Sequence, residues 1–143
     1  RRAFWAIREA ASEVSFSVTP NVALDIALPL DAVPGFFASA RAALARLDPA
    51  ACDLSVAHLG DGNIHYMVYP ARDDPGLADE IVEAIEEVVQ GFGGSFSAEH
   101  GIGLSKKPSM ARRKDPVALD VMRTIKAALD PKGIMNPGKV LPE

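Results

Sequence analysis

The dipeptide Asp61-Gly62 stands between two runs that alternate in polarity, 53–60 and 63–69, and it restricts the fold more than any other feature of the chain. Asp-Gly between two period-two segments predicts a tight hairpin, because a two-residue type I′ turn needs positive φ at both central positions. A hairpin makes the sheet antiparallel at that point. With Asp61 and Gly62 as the turn, Gly60 faces Asn63, Leu59 faces Ile64 and His58 faces His65. Alternation then sorts the side chains. His58, Gly60, Asn63 and His65 share one face, while Ala57, Leu59, Ile64, Tyr66 and Val68 share the other. The second face is apolar and suits packing against helices.

The remaining periodicities supply those helices. Leu24, Ile26 and Leu28 alternate with Asp25 and Ala27, a further strand that Pro29 ends. Helical spacing runs through 3–13 (Phe4, Ile7, Ala11) and through the segment after Asp31 (Val33, Phe36, Ala40, Leu44, Leu47). It returns in 75–90 (Ile81, Ile85, Val88) and 116–129 (Val121, Met122, Ile125, Leu129). Segments 15–18 and 93–97 read as short strands, and 134–143 as an extended tail. The order predicts an α+β fold: a ferredoxin-like antiparallel sheet with helices packed on one face, plus a C-terminal helical segment and tail.

Charge and composition exclude several classes. The net charge is −4 with no basic stripe, which argues against nucleic acid or an anionic membrane surface. No apolar stretch approaches the roughly 20 residues of a membrane helix. The opening Arg1-Arg2-Ala3-Phe4-Trp5 has neither Met nor a signal-peptide pattern and reads as the middle of a longer chain. A single cysteine, Cys52, excludes an internal disulfide and suits a reducing, cytoplasmic setting. It is expected as a small buried side chain at a strand entry.

All three histidines fall in two glycine-rich segments. Opposed across a hairpin, His58 and His65 could converge on one metal ion, with Gly60 opposite Asn63 leaving room for a ligand and Asn63 offering its amide. Spacing alone leaves open an exposed cross-strand pair, since two histidines are too few for a stable site. In Gly93–Gly103 a carboxylate from Glu99 would complete a His-His-carboxylate set with open coordination positions, as catalysis requires. His100 should leave the backbone in another direction, towards substrate, and an unliganded imidazole suits a general base. The alternative is Glu99 capping a helix with His100 solvated beside it.

Three motifs in order carry a resemblance: residues 58–65 (His-Leu-Gly-Asp-Gly-Asn-Ile-His), residues 97–103 (Ser-Ala-Glu-His-Gly-Ile-Gly) and residues 130–139 (Asp-Pro-Lys-Gly-Ile-Met-Asn-Pro-Gly-Lys). Across essentially its whole length the chain resembles the C-terminal domain of FAD-linked oxidases, the group of D-lactate dehydrogenase, the glycolate oxidase FAD subunit and D-2-hydroxyglutarate dehydrogenase. The resemblance implies that His58, His65 and Glu99 bind a divalent metal, Zn or Mn, and that His100 is the catalytic base. It implies that Arg8, Ser12 and Asn63 hold the substrate and that Asn136 approaches the flavin. The implied reaction oxidises a D-2-hydroxy acid to a 2-oxo acid, with hydride to FAD. Residues 1–143 would then be the substrate- and metal-binding domain, and the FAD-binding domain of the same protein, absent from this sequence, its partner. The surface meeting that domain is expected to be apolar, which leaves homo-oligomerisation open. One departure is Ala23, where many family members carry a lysine that contacts the substrate carboxylate; Lys106 or Lys107 could compensate. A non-redox metal- or carboxylate-binding module, or a purely structural domain, remains an alternative on the same scaffold.

Overall fold

In the computed structural model, which describes residues 2–58 and 60–143 apart from the Ser12 side chain, the chain divides into two compact units, Arg1–Ala98 and Glu99–Glu143. The first carries helix α1 (Arg2–Ser15), strand β1 (Val22–Ala27), helix α2 (Val33–Leu47), strands β2 (Cys52–His58) and β3 (Asn63–Tyr69), and helix α3 (Leu77–Gly91). The second carries α4 (Lys107–Arg113) and α5 (Pro116–Leu129), followed by the tail.

The sheet is antiparallel with strand order β1-β3-β2. Its apolar face bears Leu24 and Ile26 from β1 and Ile64, Tyr66 and Val68 from β3. Phe36, Ala40 and Leu44 of α2 and Ile81, Ile85 and Val89 of α3 cover that face and complete the core. The α+β fold with helices on one face is as the periodicities predict. The expected strand at 93–97 reduces to a bridge between Ala27 and Ser95, closed by hydrogen bonds of 3.0 and 2.8 Å. That bridge lies on the edge of β1 that β3 leaves open.

Three expectations are corrected. Residues 15–18 are not a strand: the Ser17 amide and hydroxyl both donate to the Val14 carbonyl, which closes α1 with a turn. Cys52 begins β2 as expected, but it is exposed, because β2 is an edge strand. The hairpin register also differs. His58 pairs with Asn63, Ala57 with Ile64 and Val56 with His65, so the pairing closes at His58 and Asn63 instead of nearer the turn. The Asp61 amide donates to the His58 carbonyl at 3.2 Å, and the Asp61 carboxylate accepts the Asn63 N–H at 3.1 Å. Gly62 is drawn away from the hairpin, its carbonyl accepting the Leu28 N–H at 3.0 Å. The register shift is two residues, so every side chain keeps its predicted face; a shift of one would have reversed them all. Helix α4 was not anticipated. It is short, enters through Pro108 and buries only Ser109 and Met110, so it leaves no helical period to read.

Candidate metal and substrate site

The polar face of the sheet gathers the predicted residues. His58 ends β2, and Asn63 and His65 lie on β3. The two histidines are diagonal neighbours, a spacing that long side chains still bridge. Their ring centroids are 5.5 Å apart at an interplanar angle of 81°. The convergence therefore survives the corrected register. Asn63 is buried, and its side-chain oxygen meets no hydrogen-bond partner among the described residues. A buried amide without a protein partner is an unfavourable arrangement that a bound polar ligand would relieve.

Strand β1 adds a residue that sequence reasoning passed over. Asp25 pairs with His65 in register, and its Oδ1 lies 3.6 Å from His65 Nδ1. The signal was there: a carboxylate in the middle of an otherwise apolar strand, in phase with the polar face. The Asp25 carbonyl also accepts the Ala98 N–H at 3.0 Å, so β1 holds the chain one peptide bond before Glu99. The two imidazoles of the first unit offer nitrogen ligands side by side, and a carboxylate joining them would make an N2O donor set with positions to spare, of the kind that suits Zn or Mn.

His100 occupies the left-handed region at φ 64°, followed by Gly101 at φ 70° and Gly103 at φ 54°. For a non-glycine residue such a conformation is uncommon, and it concentrates at functional positions. The turn leaves the His100 side chain largely exposed, with Nε2 3.7 Å from Glu99 Oε1. That is beyond hydrogen-bond range. Lys106 donates from Nζ to the Glu99 carbonyl at 3.1 Å, whereas Lys107 donates to the Gly138 carbonyl at 2.9 Å in the tail.

The remaining predicted residues lie elsewhere. Arg8 is exposed on α1, its guanidinium 5.7 Å above the Trp5 ring. The Ser12 side chain falls outside the described residues. Asn136 adopts φ 47° and its carbonyl accepts the Lys139 N–H at 3.3 Å. It lines an apolar groove of about 400 Å³ with Met122, Ile125, Leu129 and Met135. The tail motif is organised by Asp130. Its carboxylate accepts the Ile134 and Met135 amides at 3.0 and 2.9 Å and Lys126 Nζ at 2.6 Å. The Lys126 ammonium and these amides hold the Asp130 carboxyl below its ordinary pKa.

A family model described as FAD linked oxidases, C-terminal domain, matches residues 1–140. Mitochondrial D-2-hydroxyglutarate dehydrogenase of Bos taurus is 40% identical over 139 residues, covering 96% of this chain and 25% of that protein. The mitochondrial D-2-hydroxyglutarate dehydrogenase of Arabidopsis thaliana is 36% identical, covering 97% of this chain and 24% of its own length. D-2-hydroxyglutarate dehydrogenase of Stutzerimonas stutzeri is 34% identical, covering 95% and 30%. The chain thus spans about a quarter of the length of these relatives. With the three motifs, the paired imidazoles and a match over nearly every residue, this chain belongs to the C-terminal domain family of FAD-linked oxidases.

Proposed function

We propose that this chain is the substrate- and metal-handling part of a flavin-dependent dehydrogenase that oxidises a D-2-hydroxy acid to the 2-oxo acid. The observation that carries the reading is the pairing of the His58 and His65 rings, 5.5 Å apart, on the sheet face that bears the buried Asn63. With the Glu99 carboxylate, the two imidazoles supply the ligands of a divalent ion, Zn or Mn. When bound, the metal would supply Lewis acidity towards the substrate and the flavin would supply the hydride acceptor. The protein's own groups do the rest. The Asn63 amide orients the substrate carboxylate, with Arg8 and Ser12 as the further contacts that the family likeness suggests. His100, next in sequence to Glu99, takes the hydroxyl proton on its ring nitrogen as the C2–H bond breaks.

The flavin belongs to the part of the protein beyond these residues, and open apolar surface supports such a partner. Phe4, Ile7 and Val14 line one side of α1 and are 79, 72 and 55% exposed, with Trp5 beside them. Val121, Ile125 and Leu129 on α5 are likewise exposed. Amphipathic helices whose apolar stripes face outward mark contact surfaces. The FAD-binding domain of the same protein is the proposed occupant, and Asn136 the proposed contact on the flavin side.

The test is turnover of the full-length protein over a panel of D-2-hydroxy acids with an artificial electron acceptor. A chelator should abolish activity and added Zn or Mn restore it. Full activity in metal-stripped protein would remove the metal from the reading. A yellow protein that oxidises no 2-hydroxy acid would remove the reaction.

A further inference from the structure

We infer that Asp25 is a positioning residue for the metal centre: its carboxylate fixes the orientation and tautomer of His65. The inference rests on the metal reading above. Asp25 lies in the middle of β1, between the core residues Leu24 and Ile26, and its side chain is only 11% exposed. A carboxylate taken out of water is unfavourable unless a polar or cationic group faces it. The strand register puts His65 directly across from it. Asp25 Oδ1 faces His65 Nδ1 at 3.6 Å, a few tenths of an ångström beyond hydrogen-bond range. The imidazole torsion about its terminal bond is broad, and a small rotation closes that gap.

The consequence concerns which nitrogen carries the proton. A carboxylate beside Nδ1 favours the tautomer protonated there. The Nε2 lone pair is then free on the side of the ring away from the carboxylate. Asp25 is not itself a proposed ligand, so it acts on the metal centre through the His65 ring that it faces. The same residue secures the third ligand by a separate route, because its backbone carbonyl holds Ala98, the residue before Glu99. Substituting the side chain leaves that backbone bond in place, so the two contributions can be separated.

The experiment uses the full-length protein with ¹⁵N confined to histidine rings. Long-range ¹H–¹⁵N spectra of the metal-free wild type should show His65 as the Nδ1–H tautomer. In Asp25→Asn that preference should be lost while His58 is unchanged. Zinc affinity, read by competition with a chromophoric chelator, should fall about 10- to 100-fold in Asp25→Asn, with one ion per chain retained. A wild-type His65 protonated on Nε2 overturns the inference without recourse to any variant, as does zinc affinity in Asp25→Asn within twofold of wild type. A wild type that binds no zinc at all sinks the metal reading and this inference together. Zinc binding with the wrong tautomer sinks this inference alone.

Discussion

Gly62 carries a constraint that no other residue type meets. Its φ is +78°, and a Cβ built there would lie 2.0 Å from the Leu28 carbonyl oxygen. Backbone strain and a main-chain clash coincide, so Gly62→Ala should destabilise the protein by about 2 kcal/mol or more, read as a lowered denaturation midpoint. An unchanged midpoint would mean that the hairpin does not approach β1 as described. His100 is the opposite case, with its side chain 72% exposed. In the full-length protein, His100→Ala should leave zinc content and stability at wild-type levels and reduce turnover by at least about 100-fold, the contribution of general base catalysis. Loss of metal in that variant would exchange the roles assigned to Glu99 and His100.

At the scale of elements, the core depends on the layer between α2 and the sheet. Phe36 is fully buried and meets Tyr66 edge-on at a centroid distance of 5.5 Å. Phe36→Ala should cost about 3–5 kcal/mol, measurable by denaturant titration. Burial also pushes the Tyr66 hydroxyl well above the ordinary phenol range, with the nearby Asp53 carboxylate adding to the shift, so Tyr66 stays neutral in the core. In the tail the controlling group is Asp130. Its pKa is lowered in the fold, so the stability it contributes is present above the unfolded value of about 4 and is lost as pH falls through the depressed folded value. Amide exchange at Ile134 and Met135 should therefore gain relative to the rest of the protein only in acid, and Asp130→Asn should raise it at neutral pH. Equal protection in that variant would show that the carboxylate charge does not hold the tail. This role was not legible beforehand. The motif around Asp130 reads as a helix stop, and only the folded chain reveals three donors meeting one carboxylate.

On the scale of the whole molecule, the chain spans about a quarter of the length of its relatives and leaves two apolar helix stripes exposed. These 143 residues supplied with FAD and a D-2-hydroxy acid should transfer no electrons to an acceptor, whereas the full-length protein should. Robust turnover by the short chain would refute the assignment of the flavin to the remaining sequence. Hydrogen exchange offers a second check. In the full-length protein the amides of α1 should be better protected than an exposed helix allows, because Phe4, Ile7 and Val14 would be covered.

Much was readable in the chain because short-range rules govern it. Period-two alternation assigned Asn63 and His65 to one face of β3 and Ile64, Tyr66 and Val68 to the other, and Asp61-Gly62 announced the reversal that brings His58 near His65. Those conclusions tolerate a two-residue slip, since side-chain direction repeats every second position. The register itself could not be read. It depends on the Leu28 amide reaching the Gly62 carbonyl, a bond between residues 34 positions apart that competes with the ideal two-residue turn. The same holds for Asp25 opposite His65 and for the edge bridge that leads to Glu99. Local pattern decided which way each side chain points; only tertiary pairing decided which of them meet, because contact between distant segments is settled by the hydrogen bonds and core packing of the assembled sheet.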